Sequence, residues 1–425
     1  PRFHPVCIGI LVFFIAAMAG CSRSSLDVET PRPAFYIDPS ASVSGDGTES
    51  SPFRNWSEVS AMNAGYSYLQ KRGTIAREQI VITASGTSGS PITLGAYGEG
   101  AAPVILGSEV ETGWTLHSGA IYQKIMTLNS GEGLGMVAQD GTMITRQEWN
   151  TDVATTFAAA AAGSYSYDPA TNTVYIWCTG VADPASHTIE ISRRLFGVRG
   201  VGVSYINVEN LHIRYTSLHG IVFENGTHIN VSGCTVEKLG GAVIVPSPVL
   251  YAGNGIEFGN SSAHCTVTGC AISDIFDSGI SPQTYSSNHH ASDFTFSDST
   301  ISRCGFAGVE IAVLYNGGMV NSDIDGVIVR NVTVLDSGKG WSGRRYGVEG
   351  RGIKINADLV AGDSTRGVSG VVVENSTVSG SAGEGIFIGG RAGMVTVRRC
   401  TVRDNGGIGV LAQESLITNL LLELY

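Results

Sequence analysis

The sequence predicts an all-β chain wound as a solenoid, a parallel β-helix, with an N-terminal cap and an inserted, mainly antiparallel β module. Three observations carry this. A short apolar run recurs along the second half of the chain as Leu211-His212-Ile213, Cys234-Thr235-Val236, Cys270-Ala271-Ile272, Ser299-Thr300-Ile301, Val332-Thr333-Val334, Ser376-Thr377-Val378 and Cys400-Thr401-Val402. A second run opening on glycine follows each copy, from Gly220-Ile221-Val222-Phe223 to Gly409-Val410-Leu411, and the gap between the two runs is identical in five of the seven copies. No helix-period stretch interrupts the series, and Gly, Asn and Ser fill the turns. A repeat of 23 residues or more built from β-branched runs needs its neighbours to bury its apolar face, so the copies must stack.

The bulk composition agrees. Of 425 residues 56 are glycine, 15% are charged and 43% are hydrophobic, which suits a turn-rich solenoid and not a disordered chain. A net charge of −11 argues against nucleic acid as a partner.

The elements follow in order. Arg2 and His4 precede the apolar run from Val6 to Ala19, which ends in Met18-Ala19-Gly20-Cys21. This resembles a bacterial lipoprotein signal over residues 1–21, with Cys21 as the lipidated residue; an ordinary secretory signal with a chance cysteine is the alternative. The resemblance implies an exported protein, lipid-anchored in the bacterial envelope and touching membrane only through that anchor. Residues 22–33 then read as a tether.

Residues 34–110 read as the cap and first coil. Phe35-Tyr36-Ile37-Asp38, Gly45-Asp46-Gly47-Thr48 and Ser51-Pro52-Phe53 resemble the opening of exported bacterial proteins of the pectate-lyase-like right-handed parallel β-helix class, as does Pro91-Ile92-Thr93-Leu94 with Ala96-Tyr97-Gly98. The resemblance implies a right-handed coil, a short capping helix, for which Trp56 to Ala64 is the candidate, and a carbohydrate-active or surface-adhesive role; the class spans lyases, hydrolases, epimerases and non-catalytic proteins. Residues 111–192 break the repeat and carry alternating Thr173-Val174-Tyr175-Ile176-Trp177, which predicts the antiparallel module with one short helix. Repeats fill 193–412, and 413–425 form an apolar tail, a capping strand or helix.

Six cysteines follow Cys21. Cys234, Cys270 and Cys400 share one repeat position and read as small buried hydrophobes; Cys265 and Cys304 lie off that column and have no evident pairing.

Side chains alternate faces along a strand, so the residue two places after each repeat glycine should point away from the coil. That column reads Val222, Glu257, Ser281, Glu310, Lys354, Phe387, Leu411. Turns stack about 4.8 Å apart, which puts Glu310 beside Lys354 and Glu257 two spacings from Glu310. Two long loops, 240–254 and 337–351, should rise beside these residues, and long loops in a repeat protein mark its working face. The second loop holds Lys339, Trp341, Arg344, Arg345, Tyr346 and Arg351. Arginine forks suit carboxylates or sulfates, and Trp341 with Tyr251 could stack on sugars. A surface ion-pair ladder is the plain alternative.

The expected function is that of an exported polysaccharide-degrading enzyme, in first place a lyase, with two alternatives. A lyase acting on an anionic, uronate-containing glycan would use Lys354 as base, with Arg351 and Arg344 lowering its proton affinity and Glu310 opposing them, and Ser281 within the groove. An inverting glycoside hydrolase would pair Glu257 as acid with Glu310 as base. A non-catalytic glycan binder would need neither. The expected partner is a polysaccharide, bound by a monomer. No metal site is assigned. The pairs Asp323/Asp325 and Asp274/Asp277 leave Ca2+ open as a cofactor without a complete binding loop, and His289-His290 has no partner spacing for a metal.

Overall fold

The computed structural model describes residues 32–126, 134–246, 249–314, 321–341, 349–358, 367–413 and 418–424. The leader with Cys21, and Arg344, Arg345 and Tyr346, lie outside the described residues.

Each turn of the coil gives one strand to each of three parallel sheets. Ser204–Glu209 joins the long sheet, His212–Arg214 the short sheet and His219–Glu224 a third sheet; Thr227–Ser232, Thr235–Leu239 and Ile256–Gly259 stack on them in the next turn. Pairing keeps the repeat register, with Ile206 on Ile229, Ile213 on Val236 and Ile221 on Ile256. All six side chains are buried, so like residues pack on like along the axis. The third sheet runs through nine strands from Ile80–Ile82 to Val410–Ala412.

Two local constraints explain the repeat. The residue before each first run turns the chain from the long to the short sheet with positive φ: Asn210, Gly233, Gly269, Asp298, Asn331, Asn375 and Arg399. Glycine, asparagine and aspartate tolerate that conformation, which explains six of the seven. The glycine opening each second run is forced by packing. A Cβ on Gly308 would lie 2.3 Å from Val334 Cγ1, and one on Gly352 2.1 Å from Val378 Cγ1.

The module begins where the chain leaves the coil after Val104–Leu106. It ends at Phe196–Val201, which takes the third-sheet place in that same turn, on Ile80–Ile82. It forms a four-stranded antiparallel sheet (Thr142–Met143, Val137–Gln139, Ile189–Ser192, Ser108–Val110). A second sheet has five strands (Thr145–Arg146, Ser164–Asp168, Thr173–Trp177, Ile121–Ile125, Thr115–Ser118), its first pair parallel. The short helix Val153–Thr156 is capped by the Asp152 carboxylate, which accepts from Thr155 N. The module enters at the corner used by loops 240–254 and 337–351, so three insertions share one edge of the third sheet.

The cap differs from expectation: only Trp56–Glu58 forms a helical turn, of 3-10 type, where a helix over residues 56–64 was expected. So short a helix is marginal alone, and tertiary acceptors claim its backbone. The Glu78 carboxylate takes the N–H groups of Trp56 and Ser57, and Tyr68 Oη takes that of Asn63. Phe35 stacks with Phe53, Tyr66 and Tyr68 at this end of the coil. In the tail, Thr418–Leu424 adds a parallel strand to Ala392–Arg403. The six described cysteines are buried free thiols.

Candidate active site: an acid-lined cavity on the third sheet

The outward column stacks in the expected register. Val222 pairs with Glu257, Glu257 with Ser281, Glu310 with Lys354, Lys354 with Phe387 and Phe387 with Leu411; Ile280 on Val309 sets Ser281 beside Glu310. Its central members are not on an open surface, however. Glu257, Glu310 and Lys354 are 4%, 3% and 7% exposed. They belong to a cavity of about 530 Å3, roofed on one side by the hairpin Ala242–Pro246 and Val249–Ala252, whose Ile244, Leu250 and Tyr251 line it. A surface ladder is therefore corrected to a covered cluster. The module braces that roof: Arg146 donates to the carbonyls of Leu134 and Gly241 and lies 4.6 Å over the Tyr251 ring, and Tyr251 Oη donates to Glu148.

A carboxylate buried this deeply needs donors, and Glu310 has three. Its Oε2 accepts from Ser278 Oγ at 2.8 Å and Gln283 Nε2 at 2.9 Å, and its Oε1 meets Lys354 Nζ at 3.3 Å. Lys354 Nζ also lies 3.7 Å from Glu349 Oε2 and 4.3 Å over the Phe306 ring. Its contacts are carboxylates and a π-face, which suits an ammonium and offers nothing to a free amine.

Glu257 sits in a second set. Asn254 Nδ2 donates to its Oε2 at 2.8 Å, and His219 Nε2 lies 3.3 Å from the same oxygen. Asn254 N–H donates to His219 Nδ1 at 3.0 Å, which leaves the ring proton on Nε2, aimed at Glu257. Asn254 Oδ1 in turn accepts from Ser278 N at 2.9 Å, so one amide ties both sets together. Burial pushes the Glu257 carboxyl up to about 7, against the hydrogen bonds from Asn254 and Tyr285, and burial pushes His219 down to about 3.

A third carboxyl, Asp277, lies between them at the corner entering the intervening turn. Its N–H donates to Gly253 O and its carbonyl accepts from Phe306 N–H, the backbones of the turns carrying Glu257 and Glu310. Burial raises its carboxyl well above the usual range; the charges of Glu310, Glu257 and Glu349 add to this, and Lys354 opposes it. It is half-buried and lines the cavity.

The other expected residues fall elsewhere. Ser281 is fully buried and its hydroxyl donates to Glu310 O. Arg351 bridges Glu349 and Glu384 and covers the Phe387 ring at 3.7 Å. Trp341 donates Nε1–H to Asp274 O and packs on Phe276, outside the cavity lining. Lys339 is exposed and pairs with Asp336 at 3.3 Å. His289 meets Ser261 and His290 meets Asp323. Among the described residues no three His, Cys, Asp or Glu side chains gather as metal ligands.

His219, Asn254, Ser278, Gln283 and Asp277 were missed by reading only one position of each repeat. Relative to the repeat glycine, His219, Asn254 and Ser278 lie one place before, Asp277 and Phe306 two before, and Glu224 and Gln283 four after. Extending the register in both directions finds them.

The profile of the Right handed beta helix region family matches residues 249–421. No curated protein matches the sequence. Among solved structures, the chain is similar to XylC in complex with xylose (13% identity, TM-score 0.52, covering 86% of this chain and 68% of that one). It is also similar to a rhamnogalacturonan lyase (13%, 0.51, 87% and 75%) and to pectate lyase Pel9A (12%, 0.50, 91% and 78%). The chain thus has the fold of a right-handed parallel β-helix, with antiparallel sheets inserted at one corner.

Proposed function

We propose that this chain is a glycoside hydrolase that cleaves neutral glycosidic bonds in the third-sheet cavity, with carboxyl groups as acid and base. One observation carries the reading: Glu257, Asp277 and Glu310 converge in a single enclosed space, one ringed by donors and two raised toward the protonated form. Hydrolysis of a glycoside needs that division between a carboxylate and a carboxylic acid.

The lyase expected from the sequence has less support. The Lys354 nitrogen is committed to two carboxylates, and a base needs a free lone pair. Among the described lining residues Lys354 is the one fixed cation, and it is already paired with Glu310 in a lining that also holds Glu224, a poor host for a uronate. Carbohydrate names among the structural neighbours agree with a glycan substrate. Export on a lipid anchor at Cys21 remains part of the proposal.

The test is turnover by the purified protein on a panel of neutral and uronate oligosaccharides. New reducing ends without near-ultraviolet absorbance are expected, because hydrolysis leaves a hemiacetal and creates no double bond. An absorbing, unsaturated product would establish elimination instead, and no turnover with retained glycan binding would leave a binding protein. Glu310→Gln should lose at least about 100-fold in kcat.

A further inference from the structure

The geometry points to Asp277, and not Glu257, as the group that hands its proton to the departing sugar oxygen. This rests on the hydrolase reading and sharpens it.

A proton donor must reach the substrate, so its own hydrogen-bonding capacity must be open. Glu257 receives donors from Asn254, His219 and Tyr285 and is 4% exposed. Every one of these neighbours donates, which holds the group in place as an acceptor. Glu310 is likewise occupied at Oε2, and its Oε1 keeps one lone pair beyond Lys354. The carboxyl of Asp277 accepts no hydrogen bond and forms no ion pair among the described residues, yet it lines the cavity. Enclosed carboxyls are ordinarily satisfied, so an open one marks a place for a ligand.

Its surroundings fit the role. The charged groups facing it are Glu257, Glu310 and Glu349, with Lys354 opposing them. Lys354 is shared between Glu310 and Glu349, which leaves the three carboxylates to dominate. Burial and these charges favour the protonated form of Asp277, and no described neighbour is placed to accept its proton. Its backbone bonds to Gly253 and Phe306 tie it to the turns carrying the other two carboxyls.

The step balances as follows. The bond from the anomeric carbon to the leaving oxygen breaks, and its electron pair stays on that oxygen, which takes the Asp277 proton. A water oxygen bonds to the anomeric carbon and gives a proton to Glu310 Oε1. The products are a hemiacetal and an alcohol; Asp277 ends ionised and Glu310 protonated, and exchange with solvent restores both.

Two measurements decide the matter. The first needs no turnover: carbon-13 NMR of the intact protein with labelled aspartate carboxyls, titrated from acid to alkaline pH. One carboxyl should stay protonated past neutrality and vanish from the spectrum in Asp277→Asn; if every aspartate is ionised at pH 7, the assignment is overturned. The second compares aryl glycosides. Asp277→Asn should lose about 100-fold or more on poor leaving groups, lose far less on nitrophenyl leaving groups that need no proton, and lose the alkaline limb of the pH profile. Equal losses on both, or those signatures appearing in Glu257→Gln, would overturn it while leaving the hydrolase reading intact. Absence of any turnover by the wild-type protein would overturn both.

Discussion

The long sheet and the third sheet present the same ladder geometry to the outside and use it in opposite ways. Outward positions of the long sheet hold short neutral side chains that bond along the stack: Asn230 Nδ2 donates to Asn207 Oδ1, and Thr266 Oγ1 to Asn230 Oδ1. Its histidine–carboxylate pairs, His264 with Asp293 and His290 with Asp323, have both side chains about half exposed. The third sheet carries the same kind of pair in His219 with Glu257, at 11% and 5% side-chain exposure, and an ion pair in Glu310 with Lys354, at 4% and 9%. The strands do not differ in kind. What differs is the hairpin Ala242–Pro246 and Val249–Ala252, braced by the module, which covers one face and leaves the other wet. Charge kept in a dry place costs stability, so its presence there marks function where the same charge on the wet face marks nothing.

The sharpest way to break this contrast is to remove one paired carboxylate from each face. Glu310→Ala should cost about 3 kcal/mol or more in urea unfolding, since it strands Lys354 and two donors away from water. Asp323→Ala on the long sheet should cost less than about 1 kcal/mol. Equal costs would mean that the cavity is as wet as the outer face.

Protonation sharpens it next. Glu257 rises from an ordinary 4.5 to about 7, so the folded state binds more protons than the unfolded one between those values, and stability falls as pH rises through them. His219 falls from 6.5 to about 3, so the folded state binds fewer protons in that window and stability rises with pH there. Where the windows overlap, from about 4.5 to 6.5, the two slopes offset. Asp277, also raised, adds a loss of its own as pH rises, so the clean reading is the difference between wild type and variant. Glu257→Gln should remove the Glu257 share of the alkaline loss, gaining on the order of 3 kcal/mol over wild type at pH 8 and little at pH 4.5. An unchanged pH profile in this variant would show that Glu257 is solvated.

Packing inside the coil separates the repeat glycines from those in exposed turns. Gly308→Ala places a methyl 2.3 Å from Val334 Cγ1 and 2.8 Å from the Gly352 carbonyl, and should cost about 1–3 kcal/mol by thermal or urea unfolding. Gly89→Ala, with nothing within 4 Å and no positive φ, should change stability by less than about 0.5 kcal/mol.

Much of this was legible because stacking is a periodic constraint. A side chain's turn and face follow from its distance to the repeat glycine, which is how Glu257, Glu310 and Lys354 could be aligned from the sequence. Burial was not legible, because it depends on how a hairpin and a module that lie outside the repeat fold back over the sheet; the stripe read as open until Ile244, Leu250 and Tyr251 roofed it. Trp341 and Tyr251 show the same limit. Both are aromatic residues on loops beside the sheet, yet Trp341 is tied to Asp274 and Phe276 while Tyr251 lines the cavity, and nothing in their spacing separates them. Asp277 stood in plain view at a repeat position and was passed over because its neighbours in sequence suggested a calcium pair with Asp274. The fold turns that pair apart: Asp274 binds Arg303 at 2.6 Å on the outside, and Asp277 faces in.

The smallest effect tests the corner between the long and short sheets. Arg399 holds a left-handed conformation, φ 52°, where Asn210, Asn331 and Asn375 hold the same corner in other turns. An ordinary L-residue there is strained by roughly 1–2 kcal/mol, whereas asparagine tolerates the conformation through its short polar side chain. Against this, Arg399 donates to Asn375 Oδ1 and to Glu374 Oε2, at 51% side-chain exposure. Bonds so exposed contribute a few tenths of a kcal/mol each, and Glu374 keeps its Arg398 partner at 2.7 Å. Strain relief therefore exceeds the loss, and Arg399→Asn should stabilise the protein by about 0.5 kcal/mol, raising the urea midpoint without changing its slope. A lower midpoint would mean that the exposed face of the long sheet holds its charges more tightly than the contrast with the cavity allows.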